Sequence, residues 1–190
     1  MEKTRYQTEA AQVAKMIRAD LKQKFPAIKF SVRSENFAGG DAVNVSWNFG
    51  PCSHAVESAL VKYRSGYFDG SIDCYEYTHS GKAIDQTGKV VDMPTVKFIG
   101  VNRHFGETHE ESDTFHQKIC TDYAKMFGFE NDDPDYMPPG GSYSRLRQLA
   151  WRALDKADLT SGYKKLIISR GQVLAISNTD DEEALKDSYA

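Results

Sequence analysis

Hydrophobic positions recur with two periods along the chain. Between residues 8 and 25, Val13, Ile17 and Leu21 return every fourth position, with Ala10 and Ala14 on the same side. That is the stripe of an amphipathic helix. Thr8 is placed to cap it and Pro26 to stop it. The period then drops to two. In Ile28–Arg33, Ile28, Phe30 and Val32 alternate with Lys29, Ser31 and Arg33. In Val43–Phe49, Val43, Val45, Trp47 and Phe49 alternate with Asn44, Ser46 and Asn48. Alternation marks strands with one buried and one wet face. Gly39-Gly40-Asp41 supplies the turn of an antiparallel hairpin. Trp47 is expected in the core, and Asn44, Ser46 and Asn48 in water.

Gly50-Pro51 opens a second predicted helix with the stripe Val56, Ala59, Leu60 and Tyr63, ended by Gly66. One strand is expected over residues 72–78 and another over 95–103, with a polar turn through 81–88 between them. Ser112 is read as the cap of a third helix carrying Phe115, Ile119, Tyr123 and Phe127, and Gly128 as its end. Residues 129–141 read as a linker or loop, and 144–158 as a fourth helix. Strands at Lys165–Ser169 and Gln172–Ser177 flank a tight turn at Arg170-Gly171. The order α-β-β-α-β-β-α, followed by α-β-β, predicts an α+β fold in which helices cover an antiparallel sheet. The expected division is a core over 1–128, the linker 129–141, and a C-terminal extension over 142–190 packed on the core.

Composition narrows the class. The chain has 190 residues, 40% hydrophobic and 27% charged, enough for a core without staples. No apolar run approaches a membrane span, and Met1–Tyr6 lacks the apolar stretch of a signal peptide. A cytoplasmic protein with no membrane partner is expected. Cys52, Cys74 and Cys120 are odd in number and irregularly spaced, which predicts three reduced, largely buried thiols. The net charge of -3 is uneven: +4 over residues 1–66, -8 over 67–141 and +1 over 142–190. A general polyanion binder is excluded, although the basic N-terminal part suits a nucleic-acid partner.

One stretch carries a resemblance. Phe25-Pro26, Lys29-Phe30-Ser31-Val32-Arg33, Val45-Ser46-Trp47, Gly50-Pro51, Val56, and Phe68-Asp69-Gly70 with Asp73 follow one another over about residues 11–77. In that order they resemble domain twenty-nine of the large polyvalent-protein-associated domains. The resemblance implies a module found in proteins of phages, plasmids and conjugative elements, often beside other modules. It brings no assigned activity.

Four groups of residues are chemically suggestive. The wet face of the hairpin offers Lys29, Ser31 and Arg33 beside Asn44, Ser46 and Asn48, which suits a protein partner or phosphates. Tyr63, Tyr67 and Tyr75 are available to stack bases, or else belong to the core. Asp69 and Asp73, with Glu76, cluster carboxylates that a metal-dependent hydrolase or nuclease would need. The plainer reading there is an Asp-Gly turn anchored by Phe68. Cys52 and His54 at a helix start suggest an activated thiol without an orienting third group. His104, His109, His116 and Cys120 fall close together with acidic neighbours, but match no zinc spacing.

No phosphate-binding glycine loop, dinucleotide fingerprint or nucleophile elbow is present in the sequence. No catalytic residue, metal centre or cofactor is therefore assigned. The reading is a non-enzymatic accessory module of a mobile element, acting on a host or element-encoded protein, with counter-defence as its setting. The alternatives are nucleic-acid binding through the basic N-terminal half, and hydrolysis through Asp69, Asp73 and Glu76.

Overall fold

A computed structural model describes residues 9–77, 82–84, 87–138, 144–155, 157–163, 165–169 and 172–176. Among these residues, four α-helices and nine strands follow one another: α1 (Glu9–Lys24), β1 (Ser31–Phe37), β2 (Gly40–Asn48), α2 (Ser53–Leu60), β3 (Gly66–Asp69), β4 (Cys74–Tyr77), β5 (Lys82–Ile84), β6 (Val90–Asp92), β7 (Phe98–His104), α3 (His109–Phe127), α4 (Leu146–Asp155), β8 (Lys165–Ser169) and β9 (Gln172–Ile176). The fold is α+β. The strands form one three-stranded sheet, ordered β1-β2-β7, and three two-stranded pairs, not the single helix-covered sheet expected.

The chain divides into two compact units. The first holds residues up to 47 together with 55–102, and the second holds 48–54 together with residues from 103 onward.

In the first unit, α1 buries Ala10, Val13, Ala14, Ile17 and Leu21, the stripe read from its period. They meet Val32, Val43, Val45, Trp47, Val56 and Leu60 in one core. Trp47 is 3% exposed, as its parity requires. β1 and β2 are antiparallel, with Ser31 opposite Ser46 and Phe37 opposite Gly40. β7 lies on the other side of β2. Asp41 accepts from the Lys97 N–H, and the Phe49 N–H donates to His104 O. Residue numbers rise together in those two contacts, which is the sense of a parallel pair.

Several boundaries move for physical reasons. Helix α2 stops at Leu60, and a 3-10 turn over Val61–Tyr63 carries Tyr63 inward. Gly66 opens β3 instead of ending the helix. A Cβ at Gly66 would lie 1.9 Å from Glu76 O, so only glycine allows β4 to approach there. The single strand expected over 72–78 is instead the second arm of a β3–β4 hairpin. A short antiparallel pair follows, with β5 inside the expected turn and β6 just beyond it. Thr108, not Ser112, caps α3 and accepts from the Glu111 N–H, while Gly128 closes that helix with φ 69°. Thr8 and Arg170-Gly171 lie outside the described residues.

In the second unit, α3 and α4 pack through Ile119, Cys120, Ala124, Leu146, Ala150 and Leu154, joined by Leu159, Tyr163 and Leu166. Phe49 sits edge-on to Phe105 and Phe115.

Candidate functional site

Directly paired residues of an antiparallel pair share a face. Ser31 with Ser46, Arg33 with Asn44, Glu35 with Ala42, and Phe37 with Gly40 therefore lie on one side of the sheet. Val32 with Val45, and Ser34 with Val43, lie on the other, where Val32, Val43 and Val45 enter the core. Ser31, Arg33 and Asn44 are exposed on the outer side, Ser46 is half-buried, and Lys29 is exposed just before β1. A side chain at Gly100 would collide with Asn44 Oδ1, so Gly100 lies beside Asn44 and β7 presents Phe98, Gly100 and Asn102 to this face. Five of the residues read from the alternation (Lys29, Ser31, Arg33, Asn44 and Ser46) thus border one polar surface. Asn48 ends β2 within the second unit.

The other end of the same face is aromatic. Phe37 stacks on Phe98 at 6.1 Å, Phe98 meets Tyr75 at 5.6 Å, and Tyr75 meets Tyr77 at 4.9 Å. This is a continuous four-ring ladder. Phe37 is 46% exposed, Phe98 37% and Tyr77 70%. The Lys97 ammonium lies 5.1 Å from the Tyr75 ring and 5.5 Å from that of Phe98, and donates to Gly39 O at 3.0 Å. The Tyr75 hydroxyl donates to Lys97 O at 2.6 Å, pinning the ladder to the start of β7.

Side chains also occupy backbone carbonyls on the two outer strands. Arg18 Nη2 donates to Val32 O, and Arg64 Nη2 to Ile99 O at 3.1 Å. Such contacts blunt sheet edges against strand addition.

The carboxylate cluster resolves into a turn. Ser71 donates to Asp69 Oδ1 from its hydroxyl at 2.6 Å and from its backbone N–H at 2.9 Å. Those bonds hold the Asp69 carboxyl below its usual range. Asp73 takes a positive φ of 50° in the same turn. Asp69 pairs with Cys74, and Glu76 with Tyr67, which places Asp69 and Glu76 on the opposite side of the hairpin from Phe68 and Tyr75. Among the described residues, no three His, Cys, Asp or Glu side chains are arranged to hold a metal ion. Tyr63 is buried and its hydroxyl donates to Asp20, whereas Tyr67 is exposed. Of the three thiols expected to be largely buried, Cys120 lies in the core of the second unit, Cys52 is half-buried just before α2, and Cys74 is exposed at the start of β4.

Phe37, Phe98 and Tyr77 are the residues that local pattern does not mark. The ladder exists only because positions up to 61 residues apart, Phe37 and Phe98, are brought together. The available signal was the density of aromatic residues through 67–77.

A family model described as large polyvalent protein associated domain 29 matches residues 8–110, more than half of the chain. The matched stretch contains the whole outer face and the ladder, and extends beyond the 11–77 over which the sequence resembles it. No curated protein and no solved structure matches the chain. Among the described residues, no helix is long and apolar enough to cross a membrane.

Proposed function

We propose that this chain, which belongs to the large polyvalent protein associated domain 29 family, is a non-enzymatic module that binds a protein through the outer face of its three-stranded sheet. The observation that carries the reading is the exposed ladder Phe37–Phe98–Tyr75–Tyr77 with Lys97 against it. Contiguous exposed apolar surface rimmed by polar groups is characteristic of an interaction site. Aromatic anchors supply most of the energy in protein interfaces, and neutral hydrogen-bonding groups such as Asn44, Ser31 and Ser46 suit their rim. Charge bordering the face is Lys29, Arg33 and Lys97 against Glu35.

The resemblance to modules of phages, plasmids and conjugative elements supports a partner met in the host or encoded by the element, with counter-defence as the setting. The test is affinity capture of host proteins on the immobilised full chain, before and after nuclease treatment. A defined protein retained saturably in both conditions supports the reading. Recovery of no protein, or capture that disappears with nuclease, overturns it.

The ladder also favours a second reading, single-stranded nucleic acid, because every base can stack on an exposed ring. Gel shifts with single-stranded DNA and RNA at low salt decide this. Binding that falls steeply with added salt supports it, since phosphate contacts release counterions. No shift at micromolar protein removes it.

A further inference from the structure

The seam between α3 and α4 is not closed along its length. A cavity of about 260 Å³ opens there, lined by His116, Ile119 and Cys120 from α3 and by Arg147, Gln148, Ala150 and Trp151 from α4. All of these belong to the second unit. The floor is apolar: Ile119, Cys120 and Ala150 are each 1% exposed. One corner is aromatic. The His116 and Trp151 rings meet at 4.5 Å and 80°, so a third ring can lie flat on one and edge-on to the other. Trp151 is held from behind by Phe105 at 4.6 Å.

The polar groups at the rim are largely committed. Arg147 donates to Asp135, as does Arg145 at 2.8 Å, and the Arg145 N–H donates to Gln148 Oε1 at 3.0 Å. Burial lowers the His116 pKa, with Asp113 opposing and Arg147 reinforcing that effect. Burial also pushes the Cys120 thiol up to about 11. Burial thus disfavours charge on the two titratable groups of the interior, and Arg147 at the rim is paired with Asp135, so a charged guest would lose water there for little return. Size gives the last constraint. A dry cavity of about 150 Å³ accepts benzene, so this one has room for two fused rings.

We infer that the α3–α4 cavity is a binding site for an uncharged, planar, bicyclic aromatic molecule, stacked in the corner of Trp151 and His116 over Ile119 and Ala150. The probe is indole, titrated into the full chain carrying labelled isoleucine methyl groups. The Ile119 methyl resonance should shift saturably, with an intermolecular Overhauser effect to indole, while Ile17 in the core of the first unit stays still. Indole-3-carboxylate should bind at least about tenfold more weakly, because its charge must be desolvated. Ala150→Leu fills the floor and should abolish the Ile119 response while leaving the Ile17 resonance unmoved. Should that variant not fold, the wild-type titration decides alone. A non-saturating Ile119 response, a missing Overhauser effect, equal binding of indole-3-carboxylate, or an unchanged response in a folded Ala150→Leu chain would each overturn the assignment.

Discussion

Arg103 Nη2 donates to the carbonyl of Gly50 at 2.7 Å. The same guanidinium donates from Nε to Phe49 O, also at 2.7 Å, and its carbon lies 5.0 Å from the Phe105 ring. Phe49 and Gly50 both have positive φ, 52° and 57°, a conformation that costs a non-glycine residue energy. The fork of Arg103 satisfies two carbonyls of that turn at once, and Leu159 N donates to the Gly50 carbonyl as well. Burial works against the arginine's charge, so its bonds must offset desolvation. Arg103→Ala should cost about 2 kcal/mol, because a carbonyl left without its donor loses about 1–3 kcal/mol. Arg103→Lys should recover less than half, since an ammonium cannot fork. Urea unfolding followed by circular dichroism measures both. An alanine variant as stable as wild type would mean that the turn holds itself.

Trp47 fills the core of the first unit beside Phe30, with ring centres 5.6 Å apart. Trp47→Ala should destabilise the protein by roughly 3–5 kcal/mol through lost burial and an unfilled cavity. Asn44→Ala, three residues earlier in β2 and on the wet side, should change stability by less than about 0.5 kcal/mol. Chemical denaturation of the two variants, side by side, checks the register of β2. Equal losses would place the strand in the wrong phase.

Asp20 accepts from the Tyr63 hydroxyl at 2.7 Å and pairs with Lys62 at 2.5 Å. Burial raises its pKa, but the bonds from Lys62 and Tyr63 outweigh it, and the net shift is downward from 3.8. A carboxyl lowered on folding contributes stability that is present above 3.8 and lost as pH falls through its folded value. Asp20→Asn should therefore reduce stability at neutral pH and flatten the loss below pH 3.8. Thermal melts from pH 7 to pH 2 show it. An acid limb of undiminished slope in the variant would contradict the assignment.

At the other extreme, Tyr163 is buried and donates to Asp122 at 2.7 Å, with both effects raising its pKa above 10.0. A raised group stabilises fully below its unfolded value, and that contribution is lost as pH rises beyond 10. Tyr163→Phe should be less stable at pH 8 yet fall less steeply above pH 10. Melts across pH 8–12 test the sign, and parallel curves for the two proteins would refute it.

How much of this was legible differs by element. Helix α1 and the parity of β2 could be read directly, because Val13, Ile17 and Leu21, and Val45 and Trp47, face one core with an unbroken period. The β3–β4 hairpin could not. Gly66 looks like a helix stop in one dimension and is a close-approach point in three, visible only once Glu76 O lies against it. Ser112 is a good cap by type, but Thr108 stands one turn earlier with Glu111 three residues on, and the Glu111 N–H donates to it. The polar half of the candidate face followed from alternation. Its aromatic half did not, since Phe37, Tyr75 and Phe98 belong to three strands whose adjacency no local pattern encodes.

The most direct measurement bears on the ladder itself. Phe98→Ala with Tyr77→Ala removes two exposed rings while leaving Trp47 and the core of the first unit untouched. With the protein recovered by affinity capture, titration calorimetry should show affinity at least about 100-fold below wild type, as loss of aromatic anchors of about 2 kcal/mol each implies, with the melting temperature within a few degrees. Full affinity in a folded double variant would place the binding surface elsewhere and contradict the account.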